Sequence, residues 1–176
     1  MTRVPGAIAF TDLVGFTEYT AERGDEHALE VLDAQARVVD ATMPPDARVV
    51  KELGDGLMLW FPDAVSAMRA CLELRDRFEG RAFDEAPLGV RMGLHWGAPT
   101  QRGADFVGHD VNVAARIVEL AGAGELLVSE ATRVRTDGHV PDLQMEELGP
   151  MMMKGIPDPV RLFRVERVVV LGRIAT

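Results

Sequence analysis

Cysteine is nearly absent from this chain: Cys71 is the only one among 176 residues. That excludes an internal disulfide framework and points to a reducing compartment. Long apolar runs are also missing. The one short stretch near the N-terminus, Ala7 to Phe10, soon gives way to Asp12; it is too short for a signal-peptide core or a membrane span. The chain therefore reads as cytoplasmic, with no membrane partner. Basic residues are outnumbered, 19 against 28 acidic, for a net charge of −9. Such a balance argues against general nucleic-acid binding, which depends on neutralising phosphates. It leaves room for a nucleotide held through a local metal site. No repeat, low-complexity tract or linker divides the sequence. What remains is ordinary for one folded domain: 47% hydrophobic residues in a length able to bury a core.

The pattern along the chain predicts a strand over Ala7 to Leu13, then one helix from about Thr17, its N-cap, to Ala41, ahead of Pro44-Pro45. Two apolar runs, Arg48 to Leu53 and Leu57 to Phe61, flank Gly54-Asp55-Gly56 and predict a β-hairpin. Ala64, Ala67, Cys71, Leu74 and Phe78 recur at three- and four-residue steps, the signature of a second helix over about Asp63 to Glu79. Cys71 on that stripe is core rather than nucleophile. A strand over Leu88 to Trp96, a polar loop through Gly103 and a helix over Val111 to Leu120, ended by Gly122 and Gly124, come next. Short strands are expected at Glu125 to Val128 and Arg161 to Val165, with a short helix over Glu130 to Arg135 between them. This order, with its adjacent hairpin, predicts an α+β fold: a ferredoxin-like, palm-type mixed sheet on a βαββαβ core, with helices packed against it. Residues 1–166 form the domain, and 167–176 a tail without assigned role.

Two carboxylates stand where core strands end. Asp12 follows Ala7-Ile8-Ala9-Phe10-Thr11, and Asp55 occupies the hairpin turn. If the first strand and the hairpin are sheet neighbours, the two meet at one edge and repel unless a cation lies between them. Hard divalent ions favour such oxygen ligands together with substrate phosphates. The pair alone does not establish a metal site, because Asp-Gly turns are common for backbone reasons.

Three further stretches bear on it. Phe10-Thr11-Asp12-Leu13-Val14-Gly15-Phe16-Thr17, Lys51-Glu52-Leu53-Gly54-Asp55-Gly56 and Asp105-Phe106-Val107-Gly108-His109-Asp110-Val111-Asn112-Val113-Ala114-Ala115-Arg116 occur in that order. Leu148 to Lys154-Gly155 and Val160 to Val165 follow. Together they resemble the catalytic domain of the class III adenylate/guanylate cyclases, over about Val4 to Val165. The short segment from Ala121 to Glu130 resembles the bacterial subgroup with a reduced dimerisation arm. Because the chain begins almost at its first strand, it reads either as a single-domain enzyme or as a piece of something longer.

The resemblance implies roles. Asp12 and Asp55, with the Leu13 carbonyl, would bind two divalent cations, Mg²⁺ or Mn²⁺. Lys51 and Asp105 would read the purine, Asn112 and Arg116 would orient the ribose and stabilise the transition state, and Lys154 would contact the terminal phosphates. Arg102 is a weaker candidate for triphosphate contact. The implied reaction converts ATP to 3′,5′-cyclic AMP and pyrophosphate by in-line attack of the ribose 3′-hydroxyl on the α-phosphorus. Hydrogen-bond polarity selects the base: Lys51 only donates and ionised Asp105 only accepts, which suits adenine N1 and N6. The resemblance also implies a homodimer with shared sites, Asp12 and Asp55 from one chain facing Lys51, Asp105, Asn112 and Arg116 of the other. The other readings are a catalytically silent nucleotide-binding module and a diguanylate cyclase. The hairpin lacks the Gly-Gly-Asp/Glu-Glu-Phe pattern of the latter. His27, His95, His109 and His139 have no metal-ligand spacing and read as structural.

Overall fold

A computed structural model describes residues 2–80, 86 and 88–168. Its main sheet begins with β2 (Gly6–Val14), after a two-residue strand β1 (Thr2–Arg3). The predicted single helix that follows is two: α1 (Phe16–Arg23) and α2 (Asp25–Thr42). Gly24 separates them at φ 86°, a left-handed backbone that a residue with Cβ rarely adopts. Its N–H closes α1 on the Thr20 carbonyl (2.9 Å), and Asp25 and Glu26 then place negative charge on the first turn of α2. The N-cap of α1 is Gly15, so Thr17 lies inside the first turn.

The hairpin forms as expected from β3 (Arg48–Leu53) and β4 (Gly56–Phe61), and α3 (Ala64–Gly80) follows. Asp63 caps α3 by accepting from the Ser66 N–H at 2.8 Å. Cys71 is buried on this helix, and burial pushes its thiol up to about 12, as suits a core residue. Next is β5 (Gly89–Gly97). The expected polar loop instead carries a short strand, β6 (Thr100–Arg102), which pairs with β1 on one side and with β7 (Asp105–Val107) on the other. Then come α4 (His109–Leu120), β8 (Leu126–Ser129), α5 (Glu130–Thr136), β9 (Leu143–Met151) and β10 (Val160–Arg167).

The main sheet has the order β3-β4-β2-β5-β8-β10-β9. It is mixed, because β8 runs parallel to β5 while the other pairs are antiparallel. Alternation along β2 divides the core. Ala7, Ala9 and Leu13 face the cluster that includes α2 and α3, while Ile8 and Phe10 face α4 through Val111, Ala114 and Val118. On its other flank α4 packs Val113 and Ile117 against Leu127 and Leu162. The fold is thus the predicted α+β mixed sheet with helices against it, extended by the unforeseen edge strand β9. The proposed tail falls mostly on residues 169–176, outside the described residues.

Candidate active site

Asp12 is the next member of the Ile8, Phe10 series on β2, carried past the point where apolar packing ends. Its register partner on β5 is Arg91. The Arg91 guanidinium donates to the Asp12 carboxylate, Nε to Oδ2 at 2.7 Å, and a second N–H reaches the same oxygen. On the opposite side β2 pairs with β4, through Thr11 and Leu57. Gly56 permits that approach: a Cβ there would lie 2.9 Å from the Thr11 carbonyl oxygen and 3.7 Å from Asp12 Oδ1. The hairpin tip is therefore laid against the end of β2. There the Leu13 N–H donates to Asp55 Oδ2 at 3.2 Å.

The two carboxylates meet. Burial, then the neighbouring Asp12 charge, raises the Asp55 pKa above its ordinary value, although hydrogen bonds from its own and the Leu13 N–H oppose the shift. The Leu13 carbonyl shares its strand edge with the bonded N–H, beyond the last β2–β4 ladder pair. Two adjacent carboxylates and a backbone carbonyl form a hard-oxygen donor set of the kind that suits Mg²⁺ or Mn²⁺. Among the described residues no cluster of three or more His, Cys, Asp or Glu could hold a metal on side chains alone.

The raised pKa has a consequence for stability. Because the folded state favours the protonated form, ionised Asp55 destabilises it, and that penalty grows as pH rises through the folded pKa. Below the unfolded-state pKa, both states are protonated and the penalty vanishes. Asp55→Asn in chelator should therefore melt above wild type at pH 7, and the difference should vanish at a pH below the unfolded-state carboxylate pKa. A thermal melt at pH 7 checks it; a lower melting temperature contradicts it.

A second group lies elsewhere on the chain. Asn112 is exposed on the first turn of α4, and Arg116 follows one turn later. Arg116 Nε donates to the Lys154 carbonyl at 3.1 Å, and its NH1 pairs with Glu119. These contacts tie the guanidinium to the turn between β9 and β10. The Lys154 ammonium is on an exposed residue of that turn. From β2 to β10 is three strand spacings, about 14 Å across the sheet. Among the described residues no hydrogen bond or ion pair joins Arg116 or Lys154 to Asp12 or Asp55.

Lys51 and Asp105 do converge. The ammonium donates to both Asp105 oxygens, at 2.9 and 2.8 Å, which lowers the Asp105 pKa below its ordinary value. Asp105 opens β7 rather than a loop, and Arg102 is its register partner on β6. Behind the pair Phe106 stacks on Trp60 at 5.4 Å between centroids, with the Arg48 guanidinium over both rings. His95, read as structural, bridges Ser129 Oγ at 2.8 Å and Asp110 Oδ1 at 3.3 Å. Asp110 also accepts from the Ala98 N–H, so this network fixes the start of α4. Sequence reasoning missed Arg91 and the Arg48–Trp60–Phe106 stack. A charge inside an apolar strand was the available signal for Arg91.

Against this geometry, the adenylate and guanylate cyclase catalytic domain family model matches residues 5–167. The chain belongs to that family, the class III cyclases. A pH-sensitive adenylate cyclase of Mycobacterium tuberculosis is 34% identical over 174 residues, covering 93% of this chain and 42% of that protein. An adenylate cyclase of Streptomyces griseus is 33% identical over 125 residues, 70% of this chain and 31% of its own length. The chain therefore matches less than half the length of either relative. The crystal structure of the adenylyl cyclase CyaB from Pseudomonas aeruginosa superposes with a TM-score of 0.80 at 24% identity, over 99% of this chain and 97% of that one. Among the described residues no helix is long and apolar enough to cross a membrane.

Proposed function

We propose that this chain is an adenylate cyclase that acts as a homodimer with sites shared between its copies. The observation that carries the reading is that two chemically complementary groups on one chain make no hydrogen bond or ion pair with each other among the described residues. Asp12 and Asp55 suit cations, while Arg116 and Lys154 suit phosphate. Each group is bordered by exposed apolar side chains. Val14 and Leu53 stand beside the carboxylates, and Leu120 and Met152, the latter 71% exposed, stand beside the cationic group. Apolar rims of this kind suit burial against a second copy.

In the proposed site, Asp12, Asp55 and the Leu13 carbonyl of one chain would hold two divalent cations. Such ions lower the pKa of the attacking hydroxyl and stabilise charge on entering and leaving oxygens. Arg91, which donates to Asp12, would lie beside the bound cations and add positive charge toward the triphosphate. From the second chain, Asn112 holds the ribose near its attack geometry. The 3′-hydroxyl gives up its proton to solvent, and its oxygen forms the bond to the α-phosphorus as the bond to the pyrophosphate oxygen breaks. Arg116 meets the charge that develops on the equatorial oxygens, and Lys154 meets the terminal phosphates. Asp105 accepts from adenine N6. Lys51 spends two of its three N–H donors on Asp105, leaving the third for adenine N1.

Incubation of the purified protein with ATP and Mn²⁺ or Mg²⁺ should yield cyclic AMP. Nucleotide binding without product would instead favour a silent module. Base reading has its own test. In Lys51→Glu two carboxylates would face an edge that presents an acceptor at N1, so kcat/KM for ATP should fall by about 10²-fold or more while GTP loses less. Comparing both substrates in the variant checks this, and an unchanged ATP/GTP ratio refutes the assignment.

A further inference from the structure

The buried stripe of α2 reads Ala28, Val31, Gln35, Val39. Gln35 is its one polar member and is only 3% exposed. A carboxamide in a core position is costly unless its hydrogen bonds are made. Gln35 Nε2 donates to the backbone carbonyl of Asp55 at 3.0 Å. The residue proposed as a metal ligand is thus held at two points from two elements. Its carboxylate is fixed by the Leu13 N–H of β2 and its peptide by Gln35 of α2.

Close packing does not explain this second bond. A cavity of about 310 Å³ lies between α2 and the hairpin, lined by Gln35, Val39, Val49, Gly54 and Leu57 among others. Across that gap Gln35 acts as a tether. The tip is flanked by Gly54, at φ 73°, and by Gly56, and a small rotation there swings the Asp55 carboxylate relative to Asp12. Partners that orient a ligand from behind in this way typically change metal affinity by about 10–100-fold when removed.

We infer that Gln35 is a positioning residue for Asp55: it sets the hairpin tip so that the two carboxylates share a cation. The inference rests on the metal role proposed for Asp12 and Asp55. Gln35→Met tests it, because methionine keeps the length and flexibility of glutamine but removes the donor. Free Mn²⁺ followed by electron paramagnetic resonance during titration of the intact chain should show affinity reduced about 10–100-fold. The Mn²⁺ concentration for half-maximal activity should rise in parallel, with the melting temperature close to wild type. Gln35→His retains a ring N–H donor and should recover part of the affinity. Wild-type Mn²⁺ affinity in Gln35→Met overturns the inference. If that variant does not fold, Gln35→Leu replaces it: it is apolar, close in size and has no donor, so unaltered affinity overturns the inference equally. Asp55→Asn separates the two levels. If Asp55→Asn binds Mn²⁺ like wild type, the metal assignment itself fails; if it loses Mn²⁺ while Gln35→Met does not, only the role of Gln35 fails.

Discussion

Asp12→Ala should lower cyclic nucleotide formation by about three orders of magnitude or more, with little change in fold. The size of the effect follows from two losses that act together. One carboxylate of a two-carboxylate site disappears, and with it much of the charge that binds cations and activates the hydroxyl. Arg91, now without its partner at 2.7 Å, also leaves a positive charge where a cation must sit. Folding should survive because β2 is held by backbone ladders to β4 and β5 and by the buried Ile8 and Phe10, none of which involve the Asp12 side chain. Initial rates at saturating Mn²⁺, beside a circular-dichroism melt, check both halves of the expectation. Activity within tenfold of wild type contradicts it.

Arg116→Ala should reduce kcat by about 10²–10³-fold with a smaller effect on KM, the pattern expected when a contact made chiefly in the transition state is removed. The geometry supports a role in orientation as well as charge. The guanidinium is anchored at Nε to the Lys154 carbonyl and at NH1 to Glu119, which leaves NH2 to face substrate. Lysine cannot reproduce that fork, so Arg116→Lys should recover less than a tenth of the lost rate. Steady-state kinetics across ATP concentrations decide it. A KM increase with kcat unchanged would make Arg116 a simple binding residue.

Much of this architecture was legible in the residues. The apolar run ending at Asp12 and the Asp-Gly hairpin at Asp55 were enough to place both carboxylates at strand ends, because strand alternation and turn chemistry are local; that they meet follows from the β2–β4 pairing, which the sequence offered only as a condition. The break at Gly24 was visible in principle, as a glycine followed by Asp25 and Glu26, but an uninterrupted helical period on both sides concealed it. β9 was missed because Glu146, Glu147 and Pro150 dilute the strand signal; Pro150 is tolerated on an edge strand, near the register shift at Leu162/Phe163. The Arg91–Asp12 pairing depends on strand register across 79 positions, which no local pattern encodes. Gln35 was readable as a polar residue on an apolar stripe. Its partner was not, because the link from α2 to the hairpin tip exists only after both elements dock.

The shared-site claim meets its most direct test in mixing. Asp12→Ala and Arg116→Ala chains, each inactive alone, are combined in equal amounts and allowed to exchange subunits. Random pairing makes half the dimers mixed, and each mixed dimer has one intact site of two, so activity should return to about a quarter of wild type. Activity that stays at the level of the separate variants, with subunit exchange verified by mass spectrometry, would mean that each chain works with its own residues alone.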